Sequence, residues 1–260
     1  MVLLLKCGSA SDAVRLAQGD YDRWFLRTLA PTGVRVQVIE AHAGAPLPAR
    51  AGGADAIVAT GSPRSVAERA PWMARAGVWL RDQAAGGVPV LGVCFGHQLL
   101  AEAYGGAVGR NPLGREIGTV RCALTRAGRE DPLFAGVPSD FDVQATHEDE
   151  VRALPPGAEL LATNAWSRVQ AFRIGRNVRA VQFHPEMDGA ATAAVAAARV
   201  AGIAEEAQAR GDDPHGRVRA VLAGIRGSPW GERILRNFVE RFARRSSPRR
   251  PLPRPRPGPD

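Results

Sequence analysis

The sequence is poor in the residues that mark several common classes of protein. Only three of its 260 residues are cysteines, without paired spacing, so neither a disulfide framework nor a zinc site is indicated. No run reaches the roughly eighteen apolar residues that a membrane helix needs. The short apolar start lacks both the basic segment and the long apolar stretch of a signal peptide. We therefore expect a metal-free cytoplasmic protein that does not enter a membrane.

Lysine is almost absent, since Lys6 is the only one, and arginine supplies nearly all the positive charge in a chain of formal net charge +8. Residues 244–260 hold six arginines, six prolines and one aspartate. Such a segment cannot bury enough apolar surface to fold, so we predict a disordered tail. A tether to RNA, an acidic partner or an anionic surface is the alternative. The tail has no interleaved aromatic residues for base stacking, which argues against nucleic acid.

The rest of the chain alternates between two kinds of pattern. Short apolar or alternating runs predict strands at 1–7, 34–40, 54–63 and 88–93. Helical spacing of apolar residues is found at 11–30, 72–87, 190–210 and 232–245. This succession predicts an α/β fold with a doubly wound, mostly parallel sheet flanked by helices. Strand patterns dominate residues 117–182 and predict an antiparallel extension. We expect one domain over 1–243, followed by the tail.

Cys94 lies in "GVCFG", between a strand-like and a helix-like segment. Gly92 and Gly96 would permit the close backbone approach of a nucleophile elbow. A cysteine there would sit at a helix N-terminus, which favours a thiolate, and the Phe95 N–H would face an oxyanion formed by attack. A buried, inert cysteine is the alternative. The motif alone does not decide between the two.

His184 is the best candidate for a base among the five histidines, because it ends an alternating strand-like segment in "VRAVQFHPEM". Glu186 lies two residues on and would project to the same side of an extended chain, which Pro185 stiffens. A carboxylate beside an imidazole stabilises the imidazolium, and the imidazolium stabilises a thiolate. The pair therefore predicts a catalytic triad with Cys94. The alternative is that His184 and Glu186 are exposed at the end of a strand by chance and do not form a triad.

These motifs carry a family resemblance. "GVCFGHQLLAEAYGG" together with "VQFHPEM" resembles the class I glutamine amidotransferases, which use a Cys-His-Glu triad. "IVATGSPRSV" and "ATHEDEVRALPPGAELLATN" resemble stretches of the glutaminase domain of GMP synthases. The stand-alone γ-glutamyl peptidases are similar in the same places. The likeness runs over nearly all of the chain except the tail.

The resemblance implies a chemistry for the triad. Cys94 would attack the side-chain amide of glutamine, and His184 would act as general base and then as acid to the leaving ammonia. Glu186 would orient His184. A γ-glutamyl thioester on Cys94 would form and be hydrolysed by water to glutamate.

The resemblance also implies an oxyanion hole and a substrate contact. The backbone N–H of Phe95 and that of Ser62 would hold the oxyanion, with Gly61 shaping the turn. Ser62 stands where the synthases have a second glycine, and serine provides the same backbone N–H donor as glycine. Gln98 matches a residue that helps to hold the substrate in the family.

The loop "THEDE" departs from the Ser-His-Gly-Asp of the synthases. Asp149 would still pair with the substrate ammonium, and His147 matches the family's histidine. Glu148 replaces the glycine whose backbone helps to bind glutamine, so its charge would suit another γ-glutamyl substrate. A strand-end hydrogen bond is the alternative role for His147. We expect His97 to pack at the start of its helix rather than to catalyse.

The sequence has no Gly-rich phosphate motif, so the nucleotide-binding domain of complete synthases is not expected, and no cofactor is implied. The leading hypothesis is an amidotransferase subunit that releases ammonia from L-glutamine for a separate acceptor synthetase. The second is a hydrolase or transpeptidase of γ-glutamyl peptides or amides. The third is a regulatory binding module without catalysis, which the complete triad disfavours.

Overall fold

A computed structural model describes residues 1–51 and 53–243, and within them it has eleven strands and nine α-helices. The strands are β1 (Val2–Lys6), β2 (Val36–Glu40), β3 (Ala56–Ala59), β4 (Val90–Val93), β5 (Ala107–Arg110), β6 (Glu116–Leu124), β7 (Asp140–His147), β8 (Asp149–Ala153), β9 (Ala158–Thr163), β10 (Ala171–Ile174) and β11 (Val178–Val181). The helices are α1 (Asp12–Gln18), α2 (Tyr21–Leu29), α3 (Pro71–Ala85), α4 (Phe95–Ala103), α5 (Arg126–Glu130), α6 (Gly189–Ala197), α7 (Val200–Ala209), α8 (Pro214–Gly224) and α9 (Trp230–Phe242). The tail at 244–260 lies outside the described residues, so its disorder and the domain boundary before it stay predictions.

Nine strands form one sheet in the order β2-β1-β3-β4-β11-β10-β9-β6-β7. The first five strands in that order are parallel to one another. The remaining four extend the sheet through antiparallel pairs. The predicted α/β fold with its antiparallel extension is thereby confirmed. Strands β5 and β8 form a separate antiparallel ribbon that the sequence patterns do not predict.

Helices cover both faces of the parallel strands. Every residue of β1, β3, β4 and β11 is buried, as a sheet packed on both sides requires. Successive side chains point to opposite faces, so Leu4 joins Phe25 of α2 and Phe238 of α9 in one apolar cluster. Leu5 joins Leu80 of α3 in the cluster on the other face. Burial of each such side chain contributes about 1.5–3 kcal/mol, so these clusters fix the sheet that carries the site.

Two of the predicted helical segments are interrupted. The expectation of one continuous helix over 11–30 is wrong, because α1 ends at Gly19, whose φ is 81°. Asp20 then caps α2 by accepting the N–H of Tyr21. The segment 190–210 likewise divides into α6 and α7 at Arg199, whose backbone leaves the helical region with φ −115° and ψ 11°. In both cases the apolar spacing continues across the break, so periodicity alone does not reveal it.

Helix α8 is not predicted by the sequence patterns. Val221 is the residue of this helix that is buried, so its apolar stripe is too narrow to stand out. Val221 and Ile225 approach Gly118 of β6, where the chain has φ 107°. Within the described residues, no helix combines the length and apolar character needed to cross a membrane.

Candidate active site

Three adjacent parallel strands end at one edge of the sheet and deliver the predicted site residues there. Val93 at the end of β4 pairs with Val181 of β11, so the segments that hold Cys94 and His184 leave the sheet side by side. Strand β3 lies on the other side of β4 and leads into the loop that contains Gly61. The carboxyl edge of a parallel sheet is where ligands usually bind in this kind of fold.

Cys94 occupies a strained turn between β4 and α4. Its φ of 52° and ψ of −101° lie where side chains other than glycine rarely occur. A side chain at Gly92 would collide with the backbone oxygen of Gly96, and one at Gly96 would collide with that of Ala59. The two glycines of the motif therefore let strand, turn and helix approach closely. The turn places the thiol at the first turn of α4.

His184 and Glu186 form a buried pair beyond the end of β11. His184 Nδ1 lies 2.7 Å from Glu186 Oε1, and both residues are at most 3% exposed. The backbone N–H of His184 donates to Gln144 O at 2.8 Å, which ties this segment to β7. Pro185 packs against the start of α9, where a Cβ on Gly231 would stand 2.9 Å from its carbonyl oxygen. These contacts fix the direction of the imidazole.

The loop after β3 closes over the thiol and the imidazole. A Cβ built on Gly61 would lie 2.8 Å from Cε1 of His184 and 3.7 Å from Cβ of Cys94. Gly61, Cys94 and His184 therefore meet, and a larger side chain at Gly61 would push the imidazole away. In the described residues, the backbone N–H groups of Ser62 and Phe95 form no hydrogen bond, and both residues line the cleft beside Cys94.

The charge distribution separates Cys94 from the other two thiols. Burial by itself would lower the pKa of His184, but Glu186 and Cys94 raise it to about 10. An imidazole of that pKa is protonated at neutral pH and faces the thiol as a cation. In contrast, burial raises the pKa of Cys7 to about 12 and raises that of Cys122, so those two thiols stay neutral.

The cleft that contains Cys94 has a volume of about 340 Å³, and its far wall is made by Gln98 and residues 146–149. Gln98 Nε2 donates to Asp149 O at 2.9 Å and to Gln182 Oε1 at 3.2 Å. Asp149 accepts a hydrogen bond from Ser65 Oγ at 2.5 Å. The predicted substrate-binding residues thus lie at the cleft, where they also hold the wall together. Their contact with a substrate stays a prediction.

Both ring nitrogens of His147 are used inside the protein. Nδ1 lies 3.0 Å from Asp149 O, and Nε2 lies 2.9 Å from Oε2 of the buried Glu116. This is the strand-end hydrogen bonding considered as the alternative role. His97 is fully buried against the ring of Phe172, at 5.0 Å between centroids. Burial, and then His147, lowers its pKa to about 3, so it is neutral.

Glu148, the residue that departs from the synthase pattern, belongs to an ion-pair network. It pairs with Arg115 and lies 3.0 Å from Arg110, and both arginines line the cleft. Arg115 also lies 3.0 Å from Glu206 of α7. The sequence does not point to these arginines or to Glu206, because the partners are far apart in the chain and no local motif links them. In the described part of the chain, no group of three or more His, Cys, Asp or Glu side chains is arranged for a metal ion.

Comparison with known families agrees with this arrangement. Residues 17–197 match the family described as Glutamine amidotransferase class-I. The chain is 33% identical over 170 residues to one subunit of a glutamine-hydrolyzing GMP synthase from Saccharolobus solfataricus, and the match covers 65% of the chain and 85% of that relative. It is 36% identical over 178 residues to a glutamine-hydrolyzing GMP synthase from Aeropyrum pernix. That match covers 65% of the chain but only 31% of the synthase.

A solved structure shares the fold. A glutamine amidotransferase from Methylobacillus flagellatus superposes with a TM-score of 0.71 and is 24% identical. The match covers 95% of this chain and 96% of that one. It therefore extends beyond residue 197, where the family match ends, and into the helices that follow.

Proposed function

The chain belongs to the class I glutamine amidotransferase family, and from that membership we propose that it hydrolyses the side-chain amide of glutamine through Cys94. The observation that carries the proposal is the meeting of three groups at one sheet edge. These are a thiol in a strained elbow, a buried imidazole 2.7 Å from a carboxylate, and the turn at Gly61, which lies against Cys94 and the imidazole.

The proposed reaction begins with attack by Cys94 Sγ on the amide carbon of glutamine. The imidazolium of His184 stabilises the thiolate beforehand, and Glu186 stabilises the imidazolium. Negative charge develops on the amide oxygen, which the free N–H groups of Ser62 and Phe95 would receive. His184 then gives its proton to the nitrogen, so ammonia leaves and a γ-glutamyl thioester remains. Water activated by His184 attacks the thioester and releases glutamate.

We propose that the ammonia serves a separate acceptor enzyme. This part rests on the relatives, whose names describe a glutamine-hydrolyzing GMP synthase and one subunit of such a synthase. The chain matches less than a third of the Aeropyrum synthase, so more than two thirds of that synthase lies outside the match.

A second candidate function is the hydrolysis of γ-glutamyl peptides or amides. The observation in its favour is the network around Glu148, which occupies the position of a glycine in the synthases and places Arg110 and Arg115 in the cleft wall. The acyl-enzyme chemistry would be the same, with an amine in place of ammonia.

Incubation of the purified protein with L-glutamine tests the proposed function. We expect glutamate and ammonia in equal amounts, measured by coupled assays for each product. Turnover of γ-glutamyl dipeptides well above that of glutamine would support the second candidate. An inactive protein with both kinds of substrate would contradict catalysis and favour a binding module.

A further inference from the structure

A second cavity adjoins the cleft that contains Cys94. Its volume is about 300 Å³, close to that of the cleft itself. Pro63 and Arg199 line both spaces, so the two cavities share a wall. Ser9, Ser11 and Tyr21 bring hydroxyl groups to the second cavity. It is large enough for a small organic group and has polar groups that would orient one.

The second cavity lies on the side of the cleft where the catalytic pair is. Tyr21 in its wall is buried, and burial raises the pKa of its phenol. Tyr21 packs in one apolar cluster with Met187, the residue that follows Glu186 in the chain, so this wall of the cavity lies next to the segment that carries the catalytic pair. In the proposed reaction His184 gives its proton to the departing nitrogen. The leaving group is therefore released in the cleft, and Pro63 and Arg199 lie between the cleft and the second cavity.

Arg199 is a cation without a protein partner at the junction of the two cavities. Three other arginines line the cleft, namely Arg64, Arg110 and Arg115, and each forms an ion pair with a glutamate. Within residues 1–51 and 53–243, the guanidinium of Arg199 forms neither a hydrogen bond nor an ion pair. The residue is half-buried, which strengthens its attraction to an anion relative to a fully exposed arginine.

The position of Arg199 depends on a helix outside the matched family region, α7. The family match ends at residue 197, and Arg199 is the residue that precedes α7. Glu206 of α7 pairs with Arg115 at 3.0 Å, which holds this helix against the cleft. The guanidinium is therefore placed by the α6–α7 junction and by the ion pair that anchors α7.

We propose that the second cavity binds the amine leaving group of a γ-glutamyl compound and that Arg199 pairs with a carboxylate on that group. The inference rests on the acyl-enzyme chemistry of the proposed function and names the substrate class for its second candidate, the hydrolysis of γ-glutamyl compounds. Arginine is suited to the role because its planar guanidinium group donates two parallel hydrogen bonds to a carboxylate. A γ-glutamyl amino acid or dipeptide has such a carboxylate on its leaving group, whereas glutamine does not.

The step balances with water as the co-reactant. The Cys94 sulfur forms a bond to the γ-glutamyl carbonyl carbon, and the amide C–N bond breaks. His184 supplies a proton to the nitrogen, so the amino acid leaves as a neutral amine. Water then cleaves the thioester, returning the thiol and releasing glutamate.

A pair of substrates that differ only in the carboxylate tests the inference. These are γ-glutamylalanine and γ-glutamylethylamide, whose leaving groups are alanine and its decarboxylated form. A charge-assisted hydrogen bond changes binding by about 10- to 100-fold. We expect the wild-type protein to show a kcat/KM for γ-glutamylalanine higher by about that factor. In Arg199→Gln the ratio of the two values falls to near one, mainly through KM.

Arg219→Gln is the matched control, because Arg219 is an exposed arginine of α8 and its loss removes the same charge. The control keeps the wild-type ratio. An equal loss on both substrates in Arg199→Gln, or a wild-type ratio near one, overturns the inference while the proposed function stands. A wild-type protein that cleaves neither these substrates nor glutamine overturns both.

Discussion

Replacing Cys94 by alanine is expected to abolish glutamine hydrolysis, with a loss of about 10⁴-fold or more in kcat. The reason is that the covalent intermediate of the proposed reaction forms on Cys94, and residues that act as a catalytic unit lose most of their effect together. The measurement is glutamate release under saturating glutamine, with thermal unfolding recorded to confirm that the variant is folded.

Cys122→Ala is the matched control for the loss of a buried thiol. Cys122 lies in β6, where burial raises its pKa, and it is remote from the elbow in the chain. We expect this variant to keep activity within about twofold of wild type at a temperature where it remains folded. Residual glutaminase activity in Cys94→Ala above a hundredth of wild type would show that Cys94 is not the nucleophile.

Replacing Glu186 by glutamine is expected to reduce kcat/KM by about 10³- to 10⁴-fold. Glutamine keeps the shape of the side chain but removes the charge that stabilises the His184 imidazolium at 2.7 Å. Burial alone lowers the pKa of His184, so without the carboxylate the pKa falls from its value of about 10. The His184 imidazolium then loses its proton at a lower pH than in the wild type.

The pH profile distinguishes this effect from a simple loss of structure. In the wild type, activity that needs the His184 imidazolium persists through neutral pH and declines as pH rises towards 10. In Glu186→Gln this alkaline decline moves to lower pH. Glu240→Gln, an exposed change on α9, should leave both rate and profile unchanged. If the alkaline decline of activity in Glu186→Gln stays at the pH of the wild type, the assigned role of the carboxylate is contradicted.

The parts of the site that the sequence predicts are those encoded within a few residues. Gly92, Cys94 and Gly96 together specify the elbow, because each glycine is required by a close backbone approach. His184 and Glu186 are two residues apart in a stiff extended segment, so their contact follows from local geometry. Apolar runs at β1, β3 and β4 likewise predict buried parallel strands, since both faces must be apolar.

The parts that the sequence does not predict depend on contacts between distant segments. Glu206 reaches Arg115 across ninety-one positions in the chain, and neither residue lies in a recognisable motif. The break at Arg199 separates α6 from α7, and the apolar spacing does not encode it. Helix α8 has too few buried residues to show an amphipathic pattern. The second cavity is lined by residues from segments that lie far apart in the chain, so its shape is accessible only through the structure.

The most direct test of the account is covalent labelling by a diazoketone analogue of glutamine, followed by peptide mass spectrometry. We expect one label per chain, on Cys94, with activity lost in proportion to labelling. Glutamine should slow the reaction, and Cys7 and Cys122 should remain unmodified. Inactivation with the label on a different residue would contradict it, as would glutamine turnover that continues after Cys94 is fully modified.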